Sequence, residues 1–239
     1  MIIGLGTLIN VITILVGSAL GIWLGSRLPE RVRQTVIAGL GLFTLCYGLS
    51  MFLKTQNSLI VLGSLLVGAL LGEWWKIEDG VKSLGGWLEH KFLRQNRGEQ
   101  TRFVRGFMTT SLVYCIGPVA ILGAFQDGLS GDYKLLAIKA ILDGFASLAF
   151  ASSLGLGVMF SSLSVLVYQG TLTLLAHQLQ SLVTPTMTNE MSAVGGVILV
   201  GIAIGSLLEI RPIRSGNFLP ALFIAPIVVA ILEMLGVHF

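Results

Sequence analysis

Residues 106–128 read GFMTTSLVYCIGPVAILGAFQDG, a stretch long and apolar enough to cross a bilayer, yet with hydroxyls in its first half, Gly117-Pro118 at its centre and Asp127 near its far end. A transmembrane helix needs about 20 mostly apolar residues. Proline lacks a backbone donor and clashes with the preceding turn, so the helix should kink or unwind near its middle. Freed backbone groups are tolerated at membrane depth only where they are buried in protein or line a wet cavity. The stretch therefore reads as a broken span that turns polar backbone toward a central site.

The rest of the chain fits that reading. Of its 239 residues 54% are hydrophobic and 11% charged, and the mean hydropathy is +0.87, against about a quarter charged in soluble domains. The expected fold is all-α, a polytopic bundle of about eight spans at 2–24, 34–53, 57–75, 104–125, 134–152, 156–179, 191–208 and 217–236. With the N-terminus outside, 12 of the 15 Lys and Arg residues fall in cytoplasmic loops, as the positive-inside rule requires. The C-terminus is then outside too. The basic pI of about 9.0 reflects these short loops, not a nucleic-acid partner. No basic residue precedes the first apolar run and no small-residue cleavage site follows it, so this run is expected to be a retained span.

The sequence organises as one integral membrane domain with four parts: glycine-rich scaffold spans over 1–75, a cytoplasmic amphipathic segment over 76–103, polar site spans over 104–180 and a C-terminal scaffold hairpin over 190–239. In the second part Ile77, Val81, Leu84, Leu88 and Phe92 recur at helical spacing, the pattern of an interfacial helix. The scaffold parts share a motif: LVGSALG at 15–21, LVGALLG at 66–72 and LVGIAIG at 199–205. Glycines four apart let helices approach closely, which points to packing faces and to a homodimer built on them. A second repeat, offset by 38 residues, aligns GFMTTSLVYCIG from Gly106 with GFASLAFASSLG from Gly144. It pairs Thr109 with Ser147, Cys115 with Ser153 and Gly117 with Gly155, in spans expected to run oppositely, the pattern of an inverted repeat around a transporter's centre.

Chemistry concentrates in the third part. Thr109, Thr110, Ser147, Ser153 and Gln169 place polar groups in spans that are otherwise apolar, while Lys139 and Asp143 stand four residues apart on one helix face, a natural ion-pair spacing. Charges at membrane depth are costly and mark functional sites. With Cys115, Gly117, Pro118, Gln126 and Asp127 these residues form the candidate site for a small polar solute or ion. Cys46 and Cys115 show no metal-type or paired spacing and are expected to be buried. His90, His177 and His238 are too dispersed for a metal site, and nucleotide and nucleophile motifs are missing, so no cofactor, metal or enzymatic activity is expected.

The Cys-Ile-Gly, Gln-Asp-Gly, Leu-Asp-Gly-Phe and Tyr-Gln-Gly steps, with GTLINVITILVGSALG near the N-terminus, resemble the uncharacterised bacterial YqgA-like membrane protein family over essentially the whole chain. The resemblance implies a multipass protein of the bacterial inner membrane, of a kind suspected of transport, and carries no assigned substrate; Gln126, Asp127, Lys139, Asp143 and Gln169 match its motifs. The leading expectation is a secondary transporter or channel-like carrier. The alternative is a non-transporting membrane scaffold.

Overall fold

The computed structural model describes residues 3–92, 97–116, 118–179 and 183–236, and all of its regular elements among these are helices. They are α1 (Leu5–Gly25), α2 (Glu30–Phe52), α3 (Ser58–Trp75), α4 (Ile77–Phe92), α5 (Arg97–Cys115), α6 (Pro118–Ser130), α7 (Lys134–Leu154), α8 (Leu156–Leu174), α9 (Ala176–Leu179), α10 (Pro185–Ile202) and α11 (Ala221–Met234). A π-helical turn at Ala203–Leu207 follows α10, and a 3₁₀ turn at Ser215–Phe218 precedes α11. Among the described residues, seven segments are long and apolar enough to cross a membrane. The pair α5 and α6, bent by 62° at their junction, makes an eighth when taken as one span.

The helices are inside-out by soluble standards. On α1 the buried face is Gly6, Thr7, Asn10, Ile14, Gly17, Ser18 and Gly21, while Leu8, Ile12, Val16, Leu20 and Trp23 are each at least half exposed. Small and polar residues at a spacing of three and four form the contacts, and large aliphatic ones face outward. An apolar exterior of this extent suits hydrocarbon, where close packing of small residues replaces the hydrophobic drive.

The chain divides into two compact units. Met1–Leu40 with Lys82–Ser181 form the first, and Gly41–Val81 with Leu182–Phe239 the second. In the first unit α1 lies along α7 in the same direction. A Cβ built on Gly17 would stand 2.2 Å from Gly144 O, one on Gly21 2.3 Å from Leu148 O and one on Gly25 2.2 Å from Ser152 O. Equal steps on both helices show parallel packing, and only glycine fits such an approach. Helix α5 runs parallel to α8: Phe103 O packs on Gly157 and the Ser111 and Ser164 hydroxyls meet at 2.8 Å. Helix α6 continues along α8, with Gly128 against Thr173 O. The broken pair thus follows α8 from end to end, as a span does, and does not turn back like a re-entrant hairpin.

In the second unit α3 packs antiparallel to α11, with Gly68 against Ala221, while Gly72 meets the carbonyl of Asn217 in the 3₁₀ turn. The later half of α2 crosses α10 where Gly48 and Gly196 each face the other's carbonyl. Glu190, fully buried on α10, accepts Thr55 Oγ1 (2.6 Å), Gln56 N (2.7 Å) and Asn57 N (3.2 Å), and so ties down the turn between α2 and α3. Asn57 in turn caps α3 by accepting Leu59 N at 3.1 Å.

Several boundaries differ from expectation. Helix α10 starts at Pro185, six residues before the expected 191, because the Thr184 hydroxyl accepts Met187 N and proline fits the first helical position. The expected span at 156–179 ends at Leu174, and α9 is a separate short turn. The three glycine motifs also differ in use. Gly17 and Gly68 meet α-helices, whereas Gly201 meets Ile213 and Ser215, at the entry to the 3₁₀ turn. Cys46, expected buried, is exposed.

Candidate functional site

The first unit holds a polar network that joins the start of α1, the middle of α7 and the later part of α8. Asp143 is nine residues into the 21-residue α7, about 14 Å from its start. Its Oδ2 pairs with Lys139 Nζ, one turn earlier on the same face. The same oxygen accepts Asn10 Nδ2 of α1 at 3.0 Å. Asn10 Nδ2 also donates to Gln169 Oε1 of α8 at 3.2 Å, and Gln169 Nε2 donates to Thr7 Oγ1 at 3.2 Å. The chain ends where the Thr7 and Thr173 hydroxyls meet at 3.4 Å. Asn10, Gln169, Lys139 and Asp143 are all buried.

Burying an ion pair costs several kcal/mol per charge unless hydrogen bonds offset it. Here the amides of Asn10 and Gln169 supply them, a donor to the carboxylate and then a relay to α1. One acceptor is left over: Asn10 Oδ1 is buried and has no hydrogen-bond partner among the described residues. It belongs to the side chain whose Nδ2 meets Asp143 Oδ2.

Other predicted residues take different places. Asp127 is fully buried at the far end of α6, where its Oδ2 accepts Gly6 N at 3.1 Å, in the first turn of α1. A carboxylate suits that position, since the orphan amides and positive dipole end of a helix favour an anion; its Oδ1 has no partner among the described residues. Ser147, one turn beyond Asp143, meets Tyr114 OH at 2.8 Å. Cys115 is partly buried and packs against the cluster of Ile14, Tyr114 and Val165. Thr109 is buried, and Thr110 returns its hydroxyl to Gly106 O at 2.7 Å, the usual habit of a lone hydroxyl in a helix. Ser153 is buried at the end of α7 and donates to Arg33 O. Gly117 lies outside the described residues; α5 ends at Cys115 and α6 begins at Pro118, so the break falls next to Tyr114, level with Ser147.

Two expectations are corrected. Gln126 is exposed and takes no part in the network; Asp127 beside it is buried, and adjacent helical residues point about 100° apart. The glycine-rich first span is not scaffold alone, for it contributes Thr7 and Asn10 to the site. Asn10, Thr7, Thr173 and Tyr114 had escaped sequence reasoning. The available signal was Asn10 itself, the one amide in the first apolar run.

Fold and site together define a polytopic all-α membrane protein with a buried charged network in its helix core. The chain belongs to the family described as "Protein of unknown function (DUF554)", which matches residues 5–230. It is 33% identical over 223 residues to the uncharacterized protein YqgA of Escherichia coli (strain K12), covering 92% of this chain and 94% of that protein. It is 28% identical over 238 residues to the uncharacterized membrane protein YdfK of Bacillus subtilis (strain 168), covering 98% and 99%. No solved structure matches the chain.

Proposed function

We propose that the protein is a secondary transporter or channel-like carrier that moves a small polar solute or ion across the bacterial inner membrane. The observation that carries this reading is the buried chain Lys139, Asp143, Asn10 and Gln169, drawn from three apolar helices of span length. A protein needing only a stable bundle gains little from such a network, because replacing a buried ion pair by apolar residues is often neutral or stabilising. The unpartnered acceptor at Asn10 Oδ1, on the side chain that bonds the Asp143 carboxylate, favours a cation or a hydrogen-bond donor as the transported species. The α5–α6 break, one turn along α7 from Asp143, supplies the discontinuous helix that secondary transporters use at such sites. Catalysis and cofactors play no part in this reading. The partners are lipids, the solute and a second copy of the chain; since Gly17 and Gly68 are filled within the chain, the homodimer would form on another surface. Both termini face the periplasmic side, as the basic loops imply.

The test is flux in proteoliposomes, with protons, Na⁺, K⁺ and ammonium as probes, for wild type, Asp143→Asn and Asn10→Leu. Wild type should carry at least one of them above protein-free vesicles, and both variants should lose most of that flux. Equal flux through wild type and Asp143→Asn would refute the assignment.

A further inference from the structure

At the opposite end of α7 from Lys134, the first unit holds a half-open cavity of about 360 Å³ between the ends of α1 and α7 and the starts of α2, α5 and α8. Two guanidinium groups line it, Arg33 and Arg102, with Ser26, Ser152, Gly155 and Leu156. Arg102 Nε donates to Ser153 O at 2.8 Å, which sets the guanidinium about 4 Å from where a Gly155 Cβ would stand. Arg33 pairs through one Nη with the exposed Glu30 at 2.5 Å. Its Nε, however, is buried and has no hydrogen-bond partner among the described residues. Gly155 holds φ +77° and offers no side-chain cap to α8, whose first turn lies at this end.

We infer that this cavity binds a phosphate group. The two arginine guanidinium groups and the start of α8 border one space, and each favours an oxyanion; arginine matches phosphate geometry with paired N–H donors. The volume falls within the 300–1,000 Å³ typical of small-molecule sites. Glu30 is the carboxylate that faces Arg33, and it is exposed and engages Nη alone, so it does not supply the acceptor that Nε lacks. The carbonyl ends of α1 and α7 partly offset the positive potential, and Arg102 answers one of them through Ser153. A phosphate could come from an anionic lipid headgroup, since basic pockets at helix ends on the cytoplasmic side hold such groups, or from a soluble phosphate compound. The inference stands apart from the transport reading, because none of these residues belongs to the network around Asp143.

The experiment uses the purified, delipidated full chain in a neutral detergent and follows thermal unfolding by tryptophan fluorescence. One arm compares sodium phosphate with sodium chloride at matched ionic strength. The other compares micelles doped with phosphatidylglycerol or phosphatidylcholine. The variants are Arg102→Gln, Arg33→Lys, which keeps the charge but removes the Nε donor, and Arg31→Gln, an exposed charge control. Wild type should be stabilised in at least one arm, with the half-saturating concentration raised about tenfold or more by Arg102→Gln, several-fold by Arg33→Lys and not at all by Arg31→Gln. A response to phosphatidylglycerol alone identifies a lipid headgroup; a response to inorganic phosphate identifies a soluble ligand. If Arg102→Gln does not fold, Arg33→Lys decides. Stabilisation of wild type in neither arm, or an Arg33→Lys response equal to that of wild type, overturns the inference.

Discussion

Replacing Gly17 by alanine should damage a site the residue never touches. The added Cβ would stand 2.2 Å from Gly144 O, whereas an ordinary carbon to oxygen contact is about 3.3 Å, so α1 must retreat from α7 by roughly 1 Å. Neither neighbour can yield as a flexible side chain would, because the obstruction is backbone. Asn10 lies seven residues, or two turns, from Gly17 on the same face. A comparable displacement there stretches its 3.0 Å bond to Asp143 beyond hydrogen-bond range. Overpacking costs about 1 to 3 kcal/mol and loss of a charged hydrogen bond about 1.5 to 3. The sum, about 2.5 to 6 kcal/mol, lowers the melting temperature by roughly 5 to 24 °C for a chain of this size. The assay is thermal unfolding in detergent, run beside flux in proteoliposomes, with Gly63→Ala as control. A Cβ on Gly63 meets nothing within 4 Å, so the control should be neutral or gain up to about 1 kcal/mol of helix propensity. If Gly17→Ala melts and transports like wild type, the two helices are not in backbone contact and the coupling of seam to site is wrong.

The other glycine motifs should rank by what they face: Gly68→Ala, 2.6 Å from Ala221, should lower the melting temperature more than Gly201→Ala, whose nearest neighbour is the Ser215 hydroxyl at 3.2 Å, and the reverse order would contradict the packing of α3 on α11. Glu190→Ala should free the turn between α2 and α3 by removing the acceptor of Thr55, Gln56 and Asn57; trypsin cleavage after the exposed Lys54 should then quicken at least several-fold, and an unchanged rate would show that the carboxylate does not hold the turn. Topology is checked by a cysteine at position 90, which should react with an impermeant maleimide only once the cytoplasmic face is opened. Labelling in intact cells would reverse the assigned orientation.

The helical, membrane-spanning character was legible because bilayer thickness imposes a length and an apolarity that few other constraints imitate. The break at Pro118 was legible for a similarly local reason: proline cannot continue a helix whatever surrounds it. So was the pairing of Lys139 with Asp143, which needs only a spacing of four. What lay beyond reach was set by contacts over long separations. Nothing near Asn10 in sequence signals a carboxylate 133 residues away, and the glycines of the same helix, read as scaffold, drew attention from its amide. Glu190 was hidden differently. It sits in the polar stretch TPTMTNEM, which reads as a connection until the turn carrying Thr55 to Asn57 folds over it and makes a buried carboxylate acceptable. Gln126 failed through its phase, one residue from the side of α6 that faces inward.

The seam between α1 and α7 also bears on how the protein is made. These helices pack along their whole length, yet residues 26–133 separate them in the chain. At about 5 to 20 residues per second of synthesis, α1 waits roughly 5 to 20 seconds in the membrane before its partner emerges. During that interval the amide of Asn10 has neither Asp143 nor Gln169 to bond, so α1 must be held by its own apolarity, and its mean hydropathy of 2.0 is among the highest of the spans. Helix α7, at 1.6 and carrying Lys134, Lys139 and Asp143, enters with that amide already waiting. Chains truncated before Lys134 should therefore keep α1 crosslinkable to the insertion machinery or to lipid, and completion of α7 should end that crosslinking.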